Sequence, residues 1–297
     1  MSVAAPPPVA ADDAAPPTQT IKAYARRWWD DVRSGELGSL PIIIGLIIIA
    51  IVFQSQNDRF LTAGNFVNLM IQAAAFATIA MGIVFVLLLG EIDLSIGYVS
   101  GVSAVLCTLL LLDDGNAVSP IVALLLALGS GAAIGTLHGL IITKIGVPSF
   151  VVTLAGLLAW NGVVLLLIGS RGTVILQDDF IIGFANEFLA EGAAWLLVLV
   201  SVALYGGIQL LGLRRRAKAG LPNDPMIIVV GRIALIGLAL AIVAYVANQD
   251  RGVPYAAVLV GVLLVFWTWV ARRTKFGRYV YAVGGSAEAA RRAGINV

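Results

Sequence analysis

Cysteine, histidine and charge are the three things this chain of 297 residues nearly does without. Its single cysteine, Cys107, excludes an intrachain disulfide and any cluster of thiolate metal ligands. Its single histidine, His138, excludes a multi-histidine metal site and leaves little material for nucleophile and base catalysis. Charged residues make up only 12% of the chain, about half the share usual in soluble domains, and a net charge of +2 is too small to point to nucleic acid. Apolar sequence fills the space: 60% of residues are hydrophobic and the mean hydropathy is +0.96. These figures identify an integral membrane protein.

The first 38 residues stand apart. Ala, Pro and Asp dominate positions 1–20, which offer no apolar face to bury and read as a disordered cytosolic tail. A signal peptide is not expected, because basic residues are missing from the start and no apolar core follows until Leu40. Positions 21–36 then mix Lys22, Arg26, Arg27 and Arg33 with Trp28 and Trp29, a combination suited to lying among lipid headgroups as a membrane anchor.

Eight apolar runs follow, at about 40–53, 72–89, 96–112, 120–142, 149–168, 193–211, 226–246 and 255–271. Each approaches the roughly 20 residues that cross a bilayer, the first being the shortest. If the N-terminus is cytosolic, alternation puts fifteen of the 19 Lys and Arg inside and only Arg59, Arg171 and Arg251 outside, with Arg232 within a span. That asymmetry fixes the expected orientation. The outer loop 169–192, with Asp178, Asp179, Glu187 and Glu191, is expected to face water. Gly131, Gly135 and Gly139 recur every four residues, and such a row clears a helix face for close packing. Ser130, Thr136 and His138 surround the row, and His138 reads as a hydrogen-bonded packing residue.

Between the second and third runs lies Gly90-Glu91-Ile92-Asp93-Leu94-Ser95-Ile96-Gly97. Carboxylates are costly in hydrocarbon, so Glu91 and Asp93 must lie at a wet cavity, at an interface or in a break between helices. One reading makes them capping groups: Gly90 ends one helix, and Asp93 or Ser95 caps the next. The other puts Glu91, Asp93 and Ser95 beside a translocation route, as gating residues. Spacing alone leaves both open.

Past the eighth run come Arg272-Arg273-Thr274-Lys275-Phe276-Gly277-Arg278 and a stretch from Gly284 to the end. Within it Ser286 is a good N-cap and Gly294 a good stop for a short cytosolic helix. This segment, the 90–97 motif and Gly146-Val147-Pro148-Ser149-Phe150-Val151-Val152-Thr153-Leu154 together resemble the permease subunits of bacterial ABC importers for monosaccharides, the ribose and xylose permease family. The resemblance covers about 60–297, with the motifs in the family's order. The long basic 212–225 loop resembles the xylose branch more than the ribose one.

What the resemblance implies is an all-α, polytopic ABC importer permease. About eight transmembrane helices occupy 39–271, and a coupling segment occupies 272–297. It implies work as a pair with a second copy, beside a cytosolic ABC ATPase and a periplasmic sugar-binding protein. It implies a place in the lipid of the bacterial inner membrane, and no cofactor held by this chain. The family's coupling helix, which sits in a groove of the ATPase, corresponds to 286–294; its residues here are Gly285, Ser286, Glu288, Ala289, Ala290, Arg291 and Gly294. Two departures stand out. Family members continue through further helices, so this chain reads as truncated at the C-terminus, and His138 stands where relatives commonly carry Asn. The competing readings are an ion-coupled sugar carrier using Glu91 and Asp93, a permease inactive through truncation, and, with least support, a membrane enzyme.

Overall fold

A computed structural model describes residues 37–112, 117–221 and 223–297, together with isolated positions between 22 and 34. The expected N-terminal tail and most of its basic, Trp-bearing stretch lie outside the described residues. Eleven α-helices follow: α1 (Leu40–Gln56), α2 (Ala63–Leu88), α3 (Ile96–Leu110), α4 (Pro120–Leu140), α5 (Ser149–Ile168), α6 (Asp179–Asn186), α7 (Glu191–Lys218), α8 (Met226–Asn248), α9 (Tyr255–Arg273), α10 (Lys275–Gly285) and α11 (Ala287–Arg292). Among the described residues no strand forms; the all-helical expectation is met.

All eight apolar runs are helical. Six of them, in α2, α4, α5, α7, α8 and α9, are long and apolar enough to cross a membrane. The other two fall short: α1 has 17 residues and α3 has 15. At 1.5 Å per residue these measure about 25 and 22 Å, less than the roughly 30 Å hydrocarbon core. The second span also starts earlier than expected, at Ala63 rather than near Gln72. The reason is Asn65, whose side-chain amide donates to the Phe60 carbonyl at 2.7 Å and closes the turn that leads into α2.

Helix starts follow proline and oxygen chemistry. Pro occupies the first turn of α1 and α4, where its missing N–H costs nothing. In the 169–192 loop, expected to be plain solvent-facing chain, Asp178 caps α6 by accepting from the Ile181 N–H at 3.0 Å. The corner between α9 and α10 turns on Thr274. Its Oγ1 donates to the Val270 carbonyl at 2.6 Å and accepts from the Gly277 N–H at 3.1 Å.

The chain divides into two compact units. One contains α1, the start of α2, α7 and α8. Within it α7 packs on α8, and Arg232, on α8, is 3.1 Å from Asp224 just before that helix begins. An arginine in a membrane helix is tolerated when it reaches back to an end and a partner in this way. The helix α1 buries no residue.

The second unit comprises the rest of α2, α3, α4, α5, α6, α9, α10 and α11. At its centre α3 packs on both α4 and α5. The α4 face toward the interior is Ala123, Ala127, Ile134 and His138, all buried. Of the three expected packing glycines only Gly131 meets a neighbour: a Cβ there would lie 3.3 Å from Ser103 Oγ on α3. At Gly135 and Gly139 a Cβ would meet nothing within 4 Å. The cause is helical geometry. A strict four-residue step advances about 40° around a helix of 3.6 residues per turn, so by Gly139 the row has left the face that Gly131 shares.

Candidate functional site

The sequence from Gly90 to Ser95 forms a compact, heavily bonded loop. Gly90 adopts φ +79°, and Glu91 N–H reaches the Val86 carbonyl at 3.2 Å while Gly90 N–H reaches Leu87 at 2.9 Å. This is the glycine-dependent stop that satisfies the last carbonyls of α2. Beyond it Asp93 Oδ1 accepts twice, from the Ser95 N–H at 2.8 Å and from the Ser95 hydroxyl at 2.7 Å. Ser95 occupies the N-cap position of α3 but makes no capping bond; its hydroxyl turns back to Asp93. Ser95 is completely buried, Asp93 half-buried, and Glu91 exposed outside this network.

The start of α5 clamps the loop. Both backbone groups of Ile92 are taken up by α5 side chains: its N–H donates to Ser149 Oγ at 3.4 Å, and its carbonyl accepts from Thr153 Oγ1 at 3.2 Å. Loop backbone packed against a neighbouring helix needs partners of this kind. Two of the three motifs noted in the sequence are thereby joined directly, and the third arrives at the same place. Gly284, at the end of α10, lies so close to the α2 terminus that a Cβ on it would overlap the Leu88 carbonyl oxygen. Phe85 of α2 further contacts Phe276 of α10 and Trp267 of α9, with ring centroids 6.1 and 5.3 Å apart.

His138 completes the cluster from α4. The Trp160 indole N–H, a group that only donates, reaches His138 Nε2 at 3.0 Å, so Nε2 accepts and the ring proton sits on Nδ1. Nδ1 lies 3.4 Å from Ser95 Oγ. The donor order is therefore Trp160 to His138, His138 to Ser95, and Ser95 to Asp93. This order disfavours nucleophile activation, since the serine proton is held by Asp93 and the imidazole's accepting nitrogen is already occupied. Among the described residues no group of three His, Cys, Asp or Glu is placed to hold a metal ion.

Sequence reasoning noted Ser149 and Thr153 only within a motif and gave neither them nor Trp160 a partner. Ser149, Thr153, Gly156 and Trp160 all lie on one face of α5, with Ser149, Thr153 and Gly156 buried. A row of small and hydroxyl residues at helical spacing in a membrane helix was the available signal. Gly156 also escaped notice: a Cβ there would lie 2.7 Å from His138 Cε1 and 2.8 Å from Nε2, so the glycine makes the seat for the imidazole.

The segment from Gly285 to Gly294 has the local form its sequence dictates. Ser286 Oγ accepts from the Ala289 N–H at 3.2 Å, Ala290 is buried beneath α11, and Gly294 adopts φ +80°. The Ile295 N–H then closes on the Ala290 carbonyl at 3.0 Å. Gly285, Glu288, Ala289 and Arg291 are exposed, and Glu288 is paired with Arg292 one turn on.

Separately, α3, α4 and α6 line an open cleft of about 490 Å³. Ser100, Ser103 and Thr108 place hydroxyls along an otherwise apolar wall.

A family model described as branched-chain amino acid transport system / permease component matches residues 65–297. The xylose transport system permease protein of Escherichia coli K12 is 34% identical over 272 residues, which cover 90% of this chain and 67% of that protein. The protein of the same description from Haemophilus influenzae is 30% identical over 278 residues, covering 87% of this chain and 69% of its own length. The ribose import permease protein of E. coli K12 is 26% identical over 283 residues, covering 94% and 67%. No solved structure matches the chain.

Proposed function

Since the chain belongs to the family of branched-chain amino acid transport system permease components, we propose that it is the membrane permease subunit of an ATP-driven monosaccharide importer, with xylose or a related pentose as cargo. The family is one of transport permeases, not enzymes. The observation that carries the choice of cargo is the 34% identity, over 90% of this chain, to a xylose permease. The partners that such a subunit requires are a cytosolic ABC ATPase and a sugar-binding protein outside the membrane. A second copy of the chain completes the translocation route.

In this reading the chain lies in the inner membrane with its N-terminus cytosolic and all eight apolar helices crossing, α1 and α3 included. The 90–97 loop, the start of α5 and α10–α11 then share the cytosolic side. Residues 285–294 dock on the ATPase, with Gly285, Ser286, Glu288, Ala289 and Arg291 presenting the surface, Ala290 anchoring it and Gly294 ending it. Asp93 and Ser95 gate the route through the shape of their loop, Glu91 lies at its mouth, and Gly131 keeps α4 close to α3. Gly135 and Gly139 remain free to meet another helix or lipid. No cofactor is held by this chain.

The test is uptake of radiolabelled xylose, ribose and leucine into liposomes holding this chain with the ATPase and binding protein of the same importer. Xylose uptake that needs both partners and ATP is the expected result. Leucine uptake, or sugar uptake driven by an ion gradient without ATP, overturns the assignment.

Two further outcomes are expected. In a Cys107→Ser background, Arg216→Cys should react with an impermeant maleimide only from the cytosolic side; labelling from outside would reverse the orientation. Asp93→Asn keeps an oxygen that accepts from Ser95, so transport should fall by no more than roughly threefold, the size of one weakened hydrogen bond. Asp93→Leu, which leaves two buried donors unpaired, should transport little. Equal, complete loss in both at normal membrane levels would instead make the charge itself essential.

A further inference from the structure

We propose that His138 is a positioning residue for transport: seated against Gly156 and fixed by Trp160, it holds the 90–97 loop through Ser95, so that the loop moves together with α4 and α5. The proposal rests on the permease reading for its function, but its structural half stands on this chain alone.

Four observations converge on the imidazole. It is buried to 7% exposure and bonded at both nitrogens, by elements other than its own. The glycine beneath it leaves room for that ring and for nothing more. Ser95, its contact on the loop, is fully buried and already tied to Asp93, so the imidazole bond reaches a rigid turn rather than a free side chain. The same loop adjoins the α2 terminus on which Gly284 of α10 rests. A displacement of α10 thus meets the loop at one end, and His138 ties the other end to α4 and α5. Without the imidazole, the loop keeps its clamp at Ile92 and the packing of α3 but loses its hydrogen bond to α4.

A mere space-filling role and a positioning role predict opposite orders of damage. Phe fills the volume and makes neither hydrogen bond. Asn is smaller, yet its amide falls near the position of Nδ1 and keeps the contact with Ser95. In the reconstituted complex, His138→Phe should lower sugar transport about tenfold or more, because it loses the bond to Ser95 as well as the acceptor for Trp160, whereas His138→Asn, which loses only the acceptor for Trp160, should stay within roughly threefold. Gly156→Ala should behave like His138→Phe, because its methyl enters the ring's position. Combining Gly156→Ala with His138→Asn should restore transport, since Asn lacks the atoms the methyl would strike. A spin label at Leu94→Cys, in a Cys107→Ser background of the chain alone in liposomes, should become more mobile with His138→Phe and with Gly156→Ala, and return toward the parent with the double substitution. This readout needs no sugar and no ATPase, so it separates failure of this proposal from failure of the permease reading. The proposal is overturned if Phe transports better than Asn, if the double variant is no better than Gly156→Ala, or if the label's mobility is the same in all four proteins.

Discussion

Gly284→Ala is expected to leave the protein in the membrane and remove sugar transport almost completely. The added Cβ would coincide with the Leu88 carbonyl oxygen, and neither partner can yield cheaply because both are backbone. Overpacking between side chains costs about 1–3 kcal/mol, and here no rotamer offers relief. The α10 helix must therefore lift away from the α2 terminus, carrying α11 with it. Binding-protein-stimulated ATP hydrolysis by the assembled complex is the direct measurement, with membrane levels of the variant as the control. Normal stimulation and normal uptake would show that the contact between α10 and α2 carries no signal. Gly261→Ala, in α9, is the matched control, because a Cβ at Gly261 meets nothing within 4 Å in this chain.

Gly294→Val should give the second-largest loss, by a different route. Gly294 stands at φ +80°, where an L-residue costs about 1–2 kcal/mol and a β-branched one more. The bond from Ile295 to the Ala290 carbonyl, which closes α11, then has to break or stretch. No membrane helix is altered, so insertion should be normal while stimulated ATP hydrolysis falls. Crosslinks from Ala289→Cys or Arg291→Cys to the ATPase, strong in the parent complex, should weaken in the valine variant. If those positions never crosslink in a complex that transports sugar, the docking role of 285–294 is wrong.

The helices were legible because lipid imposes a simple rule: apolar residues in runs of sufficient length must be helical, since no water is present to satisfy the backbone. The short helix after Ser286 was equally legible, since a hydroxyl cap and a glycine stop act locally and leave a mark at fixed spacing. The site was harder to read. Asp93 and Ser95 announced themselves as polar residues out of place, but their partners did not, because Thr153, Gly156 and Trp160 are ordinary residues of a membrane helix until α5 is laid against the loop. The glycine row at 131, 135 and 139 shows the reverse. Its spacing is conspicuous in the sequence, yet the face it defines rotates away from α3, whereas Gly156 and Gly284, which form no row, make the close approaches. Sequence displays period well and three-dimensional proximity poorly.

The dependence of Ile92 on Ser149 and Thr153 also bears on how the protein is made. Those partners lie 57 and 61 residues further along the chain. When α2 and α3 leave the ribosome, the residues that will satisfy the loop between them have not yet been translated. In the proposed orientation the loop lies on the cytosolic side, so until α5 emerges water has to supply partners for the Ile92 N–H and carbonyl. The clamp on Ile92 can therefore close only after α5 has been made, later than the two helices that the loop joins.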